Sequence, residues 1–394
     1  MHPMQDMTGS TLSRQSLLHF AAPEASERQK LSSGCGGRPL GIVAGEGIGP
    51  EVMAAAMQVL DAVESVHPIR LQRQTGGGDV GISNGGSDEG ALSSSTAEFF
   101  REIFDGGGAV LCGPGGGRFV YDLRRRFGLF CKIAPIRPIA ALVTATPFKT
   151  EVLSDLDILI VRDNAGGVYQ GNWSTHHDPL QGEVAEHRFS YSEAQVEQIV
   201  TVGAKLARSR RGRIDVVIKD GGVPTISNLW RRTAERVASA QGVTCAFCNT
   251  DFAAYDLVRR PARFDVLVTP NLVGDILADL AAVFLGSRGL SYSANFSACG
   301  RAVYQTGHGA AHDLAGADRA NPVGQILAMA MMLRESYGLE DAAHLIEQAI
   351  EEVYRTGHRT DDMAEAGCRQ VGTRQMGELI SQAVIDSRRV SVPV

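Results

Sequence analysis

From Pro39 onward the chain alternates short apolar runs with longer stretches in which apolar residues recur every three or four positions. The short runs predict strands over residues 41–44, 109–112, 158–161, 216–219 and 266–269. Runs such as Ile-Leu-Ile-Val at 158–161 show no polar alternation, so both of their faces must be covered. The periodic stretches predict helices over 50–66, 192–208, 272–285 and 322–337. Strand followed by helix, repeated along the chain, predicts an α/β sandwich with a largely parallel sheet. Residues 1–37 are polar and irregular and read as a disordered arm without the basic-then-apolar order of a secretory signal.

Composition narrows the function classes. A chain of 394 residues with 44% hydrophobic and 21% charged positions fits an ordinary soluble protein large enough for two lobes. The net charge of −6 argues against nucleic acid or an anionic membrane surface as partner, since both require a basic face. No apolar run is long enough to span a bilayer. The seven cysteines are odd in number and scattered, which disfavours a disulfide framework and fits a reducing cytoplasm. Cys245 and Cys248 form a lone CxxC and read as small core residues in a strand, not as half of a zinc site.

Four segments carry candidate chemistry. Asp275 and Asp279 stand four apart in a helical pattern and share a face, where like charges repel. A divalent cation would remove that penalty, and carboxylates are how magnesium or manganese is held; the alternative is a solvated acidic face, which the apolar flanks of the pair disfavour. Arg162 ends an apolar strand, where it suits bidentate contact with a carboxylate; Tyr169 lies beyond a Gly-Gly turn, where it can donate a proton. That pair reads equally well as a surface Arg and a packing Tyr. Lys219 closes another apolar strand; partly buried beside a metal it would act as a base, and otherwise it is an edge-of-strand cation. The loop from His308 through Gly309 to Asp313, followed by Asn321, places an acid where ribose hydroxyls could donate to it; taken alone it is a surface loop. The turn Gly45-Glu46-Gly47-Ile48-Gly49-Pro50 follows a strand and opens a helix, and by itself reads as a structural turn.

In this order the segments resemble the β-decarboxylating dehydrogenases of the isocitrate/isopropylmalate dehydrogenase family, from about Pro39 to the C-terminal helices. Residues 45–52 resemble the family's GDGIGPEV turn, with Glu46 for Asp; residues 265–279 (DVLVTPNLVGDILAD) resemble its metal helix; residues 286–294 and 308–322 resemble its cofactor loops, with His312 for the usual Pro. The resemblance implies a two-lobed, non-Rossmann α/β fold, with 38–129 and 286–394 forming the cofactor lobe and 130–285 the second lobe. It implies a homodimer with shared active sites. Asp275 and Asp279 would bind Mg2+ or Mn2+ from one subunit, with Asp251 and Lys219 supplied by the neighbour. Arg124 and Arg162 would clamp the malate part of a substituted-malate substrate, and Tyr169 and Lys219 would form the acid–base pair. His308, Gly309, Asp313 and Asn321 would bind the cofactor, and Asp313 favours NAD over NADP by repelling a 2′-phosphate.

Three departures bear on the substrate. Relatives place a second substrate Arg ten positions after the first, whereas here Arg137 lies thirteen after Arg124. Either three residues are inserted and Arg137 takes that place, which is the favoured expectation, or Ala134 takes it and an anchor is missing. The segment before Arg124 lacks the Glu and Leu-Leu of isopropylmalate enzymes, and Arg118 or Tyr121 is expected to read a distal polar or anionic group; Arg118 could instead face solvent, as a run of Arg on one helix cannot all face a cleft. The family's Lys-Ala-Asn is Lys219-Asp220-Gly221. The expected activity is therefore NAD-dependent oxidative decarboxylation of a substituted malate. Tartrate or malate oxidation is the runner-up within the class. A non-catalytic regulatory paralogue is the rival from another class, and the presence of Lys219, Tyr169, Asp251, Asp275 and Asp279 speaks against it.

Overall fold

The computed structural model describes residues 37–77 and 92–390. The expected N-terminal arm lies outside them, apart from Gly37. Ten strands form one sheet: β1 (Pro39–Val43), β2 (Gln72–Thr75), β3 (Ala109–Cys112), β4 (Cys131–Ile136), β5 (Ile158–Asp163), β8 (Arg213–Ile218), β9 (Thr244–Asn249), β10 (Val266–Thr269), β11 (Tyr292–Phe296) and β12 (Ala302–Thr306). A separate antiparallel hairpin joins β6 (Asn172–Asp178) to β7 (Gly182–Arg188). The order across the large sheet is β2-β1-β3-β12-β11-β4-β5-β10-β8-β9. Among the described residues six of its nine pairings are parallel, and the three antiparallel ones all involve β4 or β11. Those two strands are the seam between two parallel halves. The expected α/β, mostly parallel architecture is what the chain forms.

Helices cover both halves: α1 (Gly49–Val66), α2 (Ser94–Asp105), α3 (Phe119–Phe127), α4 (Thr150–Leu153), α5 (Glu193–Arg208), α6 (Pro224–Gln241), α7 (Thr250–Arg259), α8 (Asn271–Ala281), α9 (Val323–Tyr337), α10 (Glu340–Arg355) and α11 (Thr373–Val390). None is long and apolar enough to cross a membrane. Helix α9 is buried on nearly every side and packs on β11, β12 and β3, with α1 and α10 outside it. Its one buried cation, Arg334, donates to Glu340 and Glu347 of α10, so the charge is matched where it sits. Helix α5 lies on β5, β10 and β8 and starts at a capping box between Ser192 and Gln195. A second core joins α2 and α3 to the sheet through Phe100, Phe104, Phe119 and Phe127.

Two elements differ from expectation for identifiable reasons. The helix expected over 272–285 is α-helical only to Ala281 and then tightens into a 3-10 turn, Ala282–Leu285, before Gly286 at φ 93° reverses the chain. Strand β8 begins three residues before the expected 216 because Asp215, almost wholly buried, is neutralised by Arg213 and Arg263. A buried polar residue held by ion pairs breaks the apolar run without breaking the strand. Cys245 and Cys248 lie on β9 as expected, with Cys248 buried.

Helix α8 rests on β5 through Gly274. A Cβ added there would lie 2.1 Å from Thr269 Oγ1 and 2.9 Å from Arg162 Cβ, so something must shift. Gly274→Ala is expected to lower unfolding stability by about 1–3 kcal/mol through overpacking, measured as a fall in denaturant midpoint at constant slope. An unchanged midpoint would show that α8 is free to lift off the sheet.

Candidate active site

The centre of the site is a buried cation at the end of β5. Arg162 is 2% exposed. Its Nε and Nη2 donate to Asn271 Oδ1 at 3.1 and 2.8 Å, and its Nη1 pairs with Asp275. Asn271 is itself fixed: its side-chain amide donates to the Gly166 carbonyl and its backbone N–H to Tyr191 Oη, both at 2.9 Å. The first turn of α8 is thereby locked to the loop after β5. On that loop Gly167 adopts φ 76°, and a Cβ there would meet Tyr191 Oη at 2.2 Å. The turn delivers Tyr169, whose hydroxyl donates to Asp275 Oδ2 at 2.8 Å.

Around this pair the side chains form a cationic, aromatic wall. The rings of Tyr121 and Tyr169 lie 5.0 Å apart. Arg124, buried on α3, sits 5.7 Å from the Tyr121 ring centre, and its Nε has no hydrogen-bond partner among the described residues. Arg118 lies over Tyr121 at 5.1 Å and over Trp173 of the β6–β7 hairpin at 4.7 Å. The solvent-facing alternative for Arg118 therefore gives way to a position at the edge of the site. Its neighbour Arg125 turns outward to Gln170.

The charges shape one another. Burial pushes the Tyr169 phenol well above its ordinary value and the bond to Asp275 adds to this, so it stays protonated. Burial also pushes Asp275 up, but Arg162, the Tyr169 bond and Lys132 outweigh it and hold the carboxyl below its usual value. Burial and repulsion from Arg162 bring Arg124 down to about 9. Lys132 on β4 is brought down to about 7 by burial and by Arg162 and Arg124, with Asp275 and Asp279 opposing.

The remaining expected residues fall in three places. Asp279 lies one turn beyond Asp275 and pairs with Arg288 at 2.8 Å. The repulsion expected between these acids is thus relieved within the chain by Arg162 and Arg288. Lys219 stands just past β8 with its ammonium 2.8 Å from Asp251. Among the described residues of one chain it is exposed, which matches the edge-of-strand alternative. Arg137 corrects the favoured insertion. It bonds Asp157 at 2.8 Å, beside Arg210, at the far end of β4 from Lys132 and the Arg162 cluster. The family's second arginine position therefore falls to Ala134, which is buried opposite Ile160.

The glycine turn and the expected cofactor loop close on each other. Gly47, at φ 57°, would place a Cβ 2.0 Å from the Ala310 carbonyl, and the Ile48 N–H donates to that carbonyl at 2.8 Å. His308 places Nδ1 2.9 Å from the Gly309 carbonyl, while its buried Nε2 has no partner among the described residues. Burial lowers its pKa, so the ring is neutral at ordinary pH. Gly309 has open space where a side chain would stand, and Asp313 is exposed. An orphaned ring nitrogen, an open glycine and an exposed acid fit a nucleotide. Asn321 does not offer its side chain: Oδ1 accepts from Val323 at the start of α9 and Nδ2 donates to Asp362.

Asp251, Asp275 and Asp279 keep 62%, 40% and 52% of their side chains exposed, so hard oxygen donors face solvent and fit a hard divalent ion. Among the described residues no three His, Cys, Asp or Glu side chains of one chain converge to hold an ion. Sequence reasoning missed Lys132. Its signal was a lone cation inside the otherwise apolar run Cys-Lys-Ile-Ala-Pro-Ile.

A family model described as isocitrate/isopropylmalate dehydrogenase matches residues 40–380. The chain belongs to the isocitrate/isopropylmalate dehydrogenase family. It is 39% identical to a 3-isopropylmalate dehydrogenase of Syntrophotalea carbinolica over 88% of this chain and 98% of the relative. A 3-isopropylmalate dehydrogenase of Pseudomonas fluorescens is 37% identical over 87% and 98%. The crystal structure of an isocitrate dehydrogenase from Methylococcus capsulatus superposes with a TM-score of 0.76 at 30% identity, covering 88% of this chain and 99% of that one. This member of the family is accordingly an oxidoreductase of the decarboxylating class.

Arg137→Gln should leave KM for the substrate unchanged while costing about 1 kcal/mol of stability through the partly exposed Asp157 pair. A large rise in KM without loss of stability would return Arg137 to the substrate site.

Proposed function

We propose that this enzyme carries out NAD-dependent, Mg2+- or Mn2+-dependent oxidative decarboxylation of a substituted malate in the cytoplasm, as a homodimer with shared sites. The observation that carries the reading is the cluster in which Arg162, Asp275 and Tyr169 bond one another beneath Arg124. It offers guanidinium groups for carboxylates, an exposed acid for a cation and a protonated phenol in one place.

Arg124 and Arg162 orient the substrate through its carboxylates, and the buried pair excludes water from one side of it. Tyr169, held protonated, donates the proton that the product carbon requires after carbon dioxide leaves. Asp251, Asp275 and Asp279 would hold the divalent ion, which when bound polarises the oxidised oxygen and stabilises negative charge there. His308, Gly309 and Asp313 would hold NAD as hydride acceptor, and the Asp313 carboxylate suits ribose hydroxyls and opposes a 2′-phosphate.

Lys219 and Asp251 support the dimer. They bond each other and form no bond or ion pair with the Tyr169–Asp275 cluster among the described residues of one chain. A second copy supplying them would complete the carboxylate set and give Lys219 a substrate hydroxyl from which to take the proton. Docking would also cover the exposed ammonium.

Purified protein with Mg2+ or Mn2+ is expected to form NADH from at least one of isopropylmalate, isocitrate, homoisocitrate, tartrate, malate or a phosphonomethyl malate analogue, and to stop in chelator. Turnover that persists in chelator would remove the metal from the reading, and turnover of malate or tartrate alone would move it to the simpler acids. Shared sites have their own check. Asp251→Asn and Asp275→Asn should each be inactive, and unfolding and refolding them together should restore about a quarter of wild-type activity, because half the dimers then carry one intact site. No recovery would place all three acids in one subunit.

A further inference from the structure

The substrate pocket holds a cation that the family resemblance does not supply. Lys132 lies on β4 directly opposite Arg162 on β5, and residues opposite each other in an antiparallel pair point to the same face. Helix α8 meets that face at Gly274 beside Arg162, and Arg124 of α3 stands near enough to repel both cations, so three cations gather there. Within the chain Arg162 has a carboxylate partner in Asp275. Neither Lys132 nor Arg124 has an ion-pair partner within 4 Å among the described residues, although Arg124 is buried and Lys132 partly so. Buried charges are ordinarily paired, and two unpaired ones side by side repel. An anionic ligand with two acidic groups removes both costs.

The position on the strand adds a second argument. Ala134 occupies the place where relatives carry an arginine, and it lies on the same face two residues beyond Lys132, about 6.6 Å along the strand. A cation has been lost at one end of this short stretch and another stands at the other end. A lysine is a compact point charge on a flexible stem, where arginine is a planar fork. The exchange therefore keeps the positive potential but replaces a fixed two-pronged contact with a single movable one.

Resting on the proposed dehydrogenase reading, we infer that Lys132 is a specificity-determining residue that anchors an acidic group of the substrate in place of the missing arginine, selecting a substituted malate whose acid lies nearer the β4–β5 seam. Its partners in this task are Arg124 on one side and Arg162 on the other. Arg118, at the edge of the same wall, is left for a more distant group.

The test uses full-length protein with Lys132→Met, which keeps length and removes charge, and Lys132→Arg, which keeps charge. Malate, the core shared by the panel substrates, is titrated by calorimetry in the presence of Mg2+, and KM and kcat are measured on whichever panel member turns over. Lys132→Met is expected to weaken malate binding and raise KM about 100-fold, with kcat falling far less and with a weaker salt dependence of KM, while Lys132→Arg recovers most of the loss. Equal malate affinity in wild type and Lys132→Met overturns the assignment, as does a fall in kcat alone. A wild type that binds malate through Lys132 but oxidises no panel member overturns the proposed activity and upholds Lys132 as an acid anchor. A wild type that neither binds malate nor turns over any panel member overturns both.

Discussion

Arg162 is a guanidinium with almost no exposed surface, and the rest of the site is organised by the need to satisfy it. Left alone in that position it would cost several kcal/mol, and removing one partner of such a pair typically costs about 3–5 kcal/mol. Three constraints follow. Helix α8 must begin close enough for Asn271 and Asp275 to reach it. Gly274 must have no side chain, since Arg162 and Thr269 occupy that space. The loop after β5 must turn at Gly167 so that Tyr169 arrives at the free oxygen of Asp275. A single buried charge thus ties a strand end, a helix start and a loop into one rigid unit, and the Tyr169 phenol belongs to it.

The same constraint explains which parts of the fold and site were legible in the sequence. Apolar runs with no alternation predicted the sheet because each such strand is covered on both faces, and 109–112 and 266–269 are strands from end to end. Asp275 and Asp279 could be placed on one helix face from spacing alone. Which charges neutralise them could not be read. Arg162 is 113 positions from Asp275, and Arg288 reaches Asp279 only after the chain has left the helix and turned at Gly286. Strand β8 was read too short because its buried Asp215 looks like a surface residue until Arg213 and Arg263 are seen to surround it.

Arg137 and Lys132 show the limit in a sharper form. Matching Ile-Arg-Pro by residue type gave an arginine in the wrong place, because type ignores strand register. With β4 and β5 paired, Lys132 meets Arg162 while Pro135 and Ile136 meet Leu159 and Ile158. Arg137 is carried past the end of that pairing toward Asp157. One residue of register would have reversed every side chain on β4 and hidden Lys132 in the opposite layer. Which side chains share the Arg162 face is therefore set by pairing across the antiparallel seam, information that lies in neither segment alone.

Two departures from the family motifs that look unrelated along the chain meet in space. Glu46 stands where the glycine turn ordinarily has the shorter Asp, and His312 stands where the cofactor loop ordinarily has Pro. The His312 ring reaches to 3.7 Å from Glu46, and the turn and loop are already joined by the Ile48 bond to Ala310. Burial raises the Glu46 carboxyl, while His312 and the Gly116 backbone pull it down. Proline would have fixed the loop through its own ring and offered no donor. Histidine restores a link between loop and turn by a side-chain contact, and the longer acid is what reaches it. Ala311, next in the loop, sits at φ 41°, a left-handed conformation that costs an alanine about 1 kcal/mol or more and persists only when its surroundings hold it. With proline absent, the restraints around it are the Leu314 N–H bond to the Ala311 carbonyl at 2.9 Å, the Ile48–Ala310 bond and the Glu46–His312 contact.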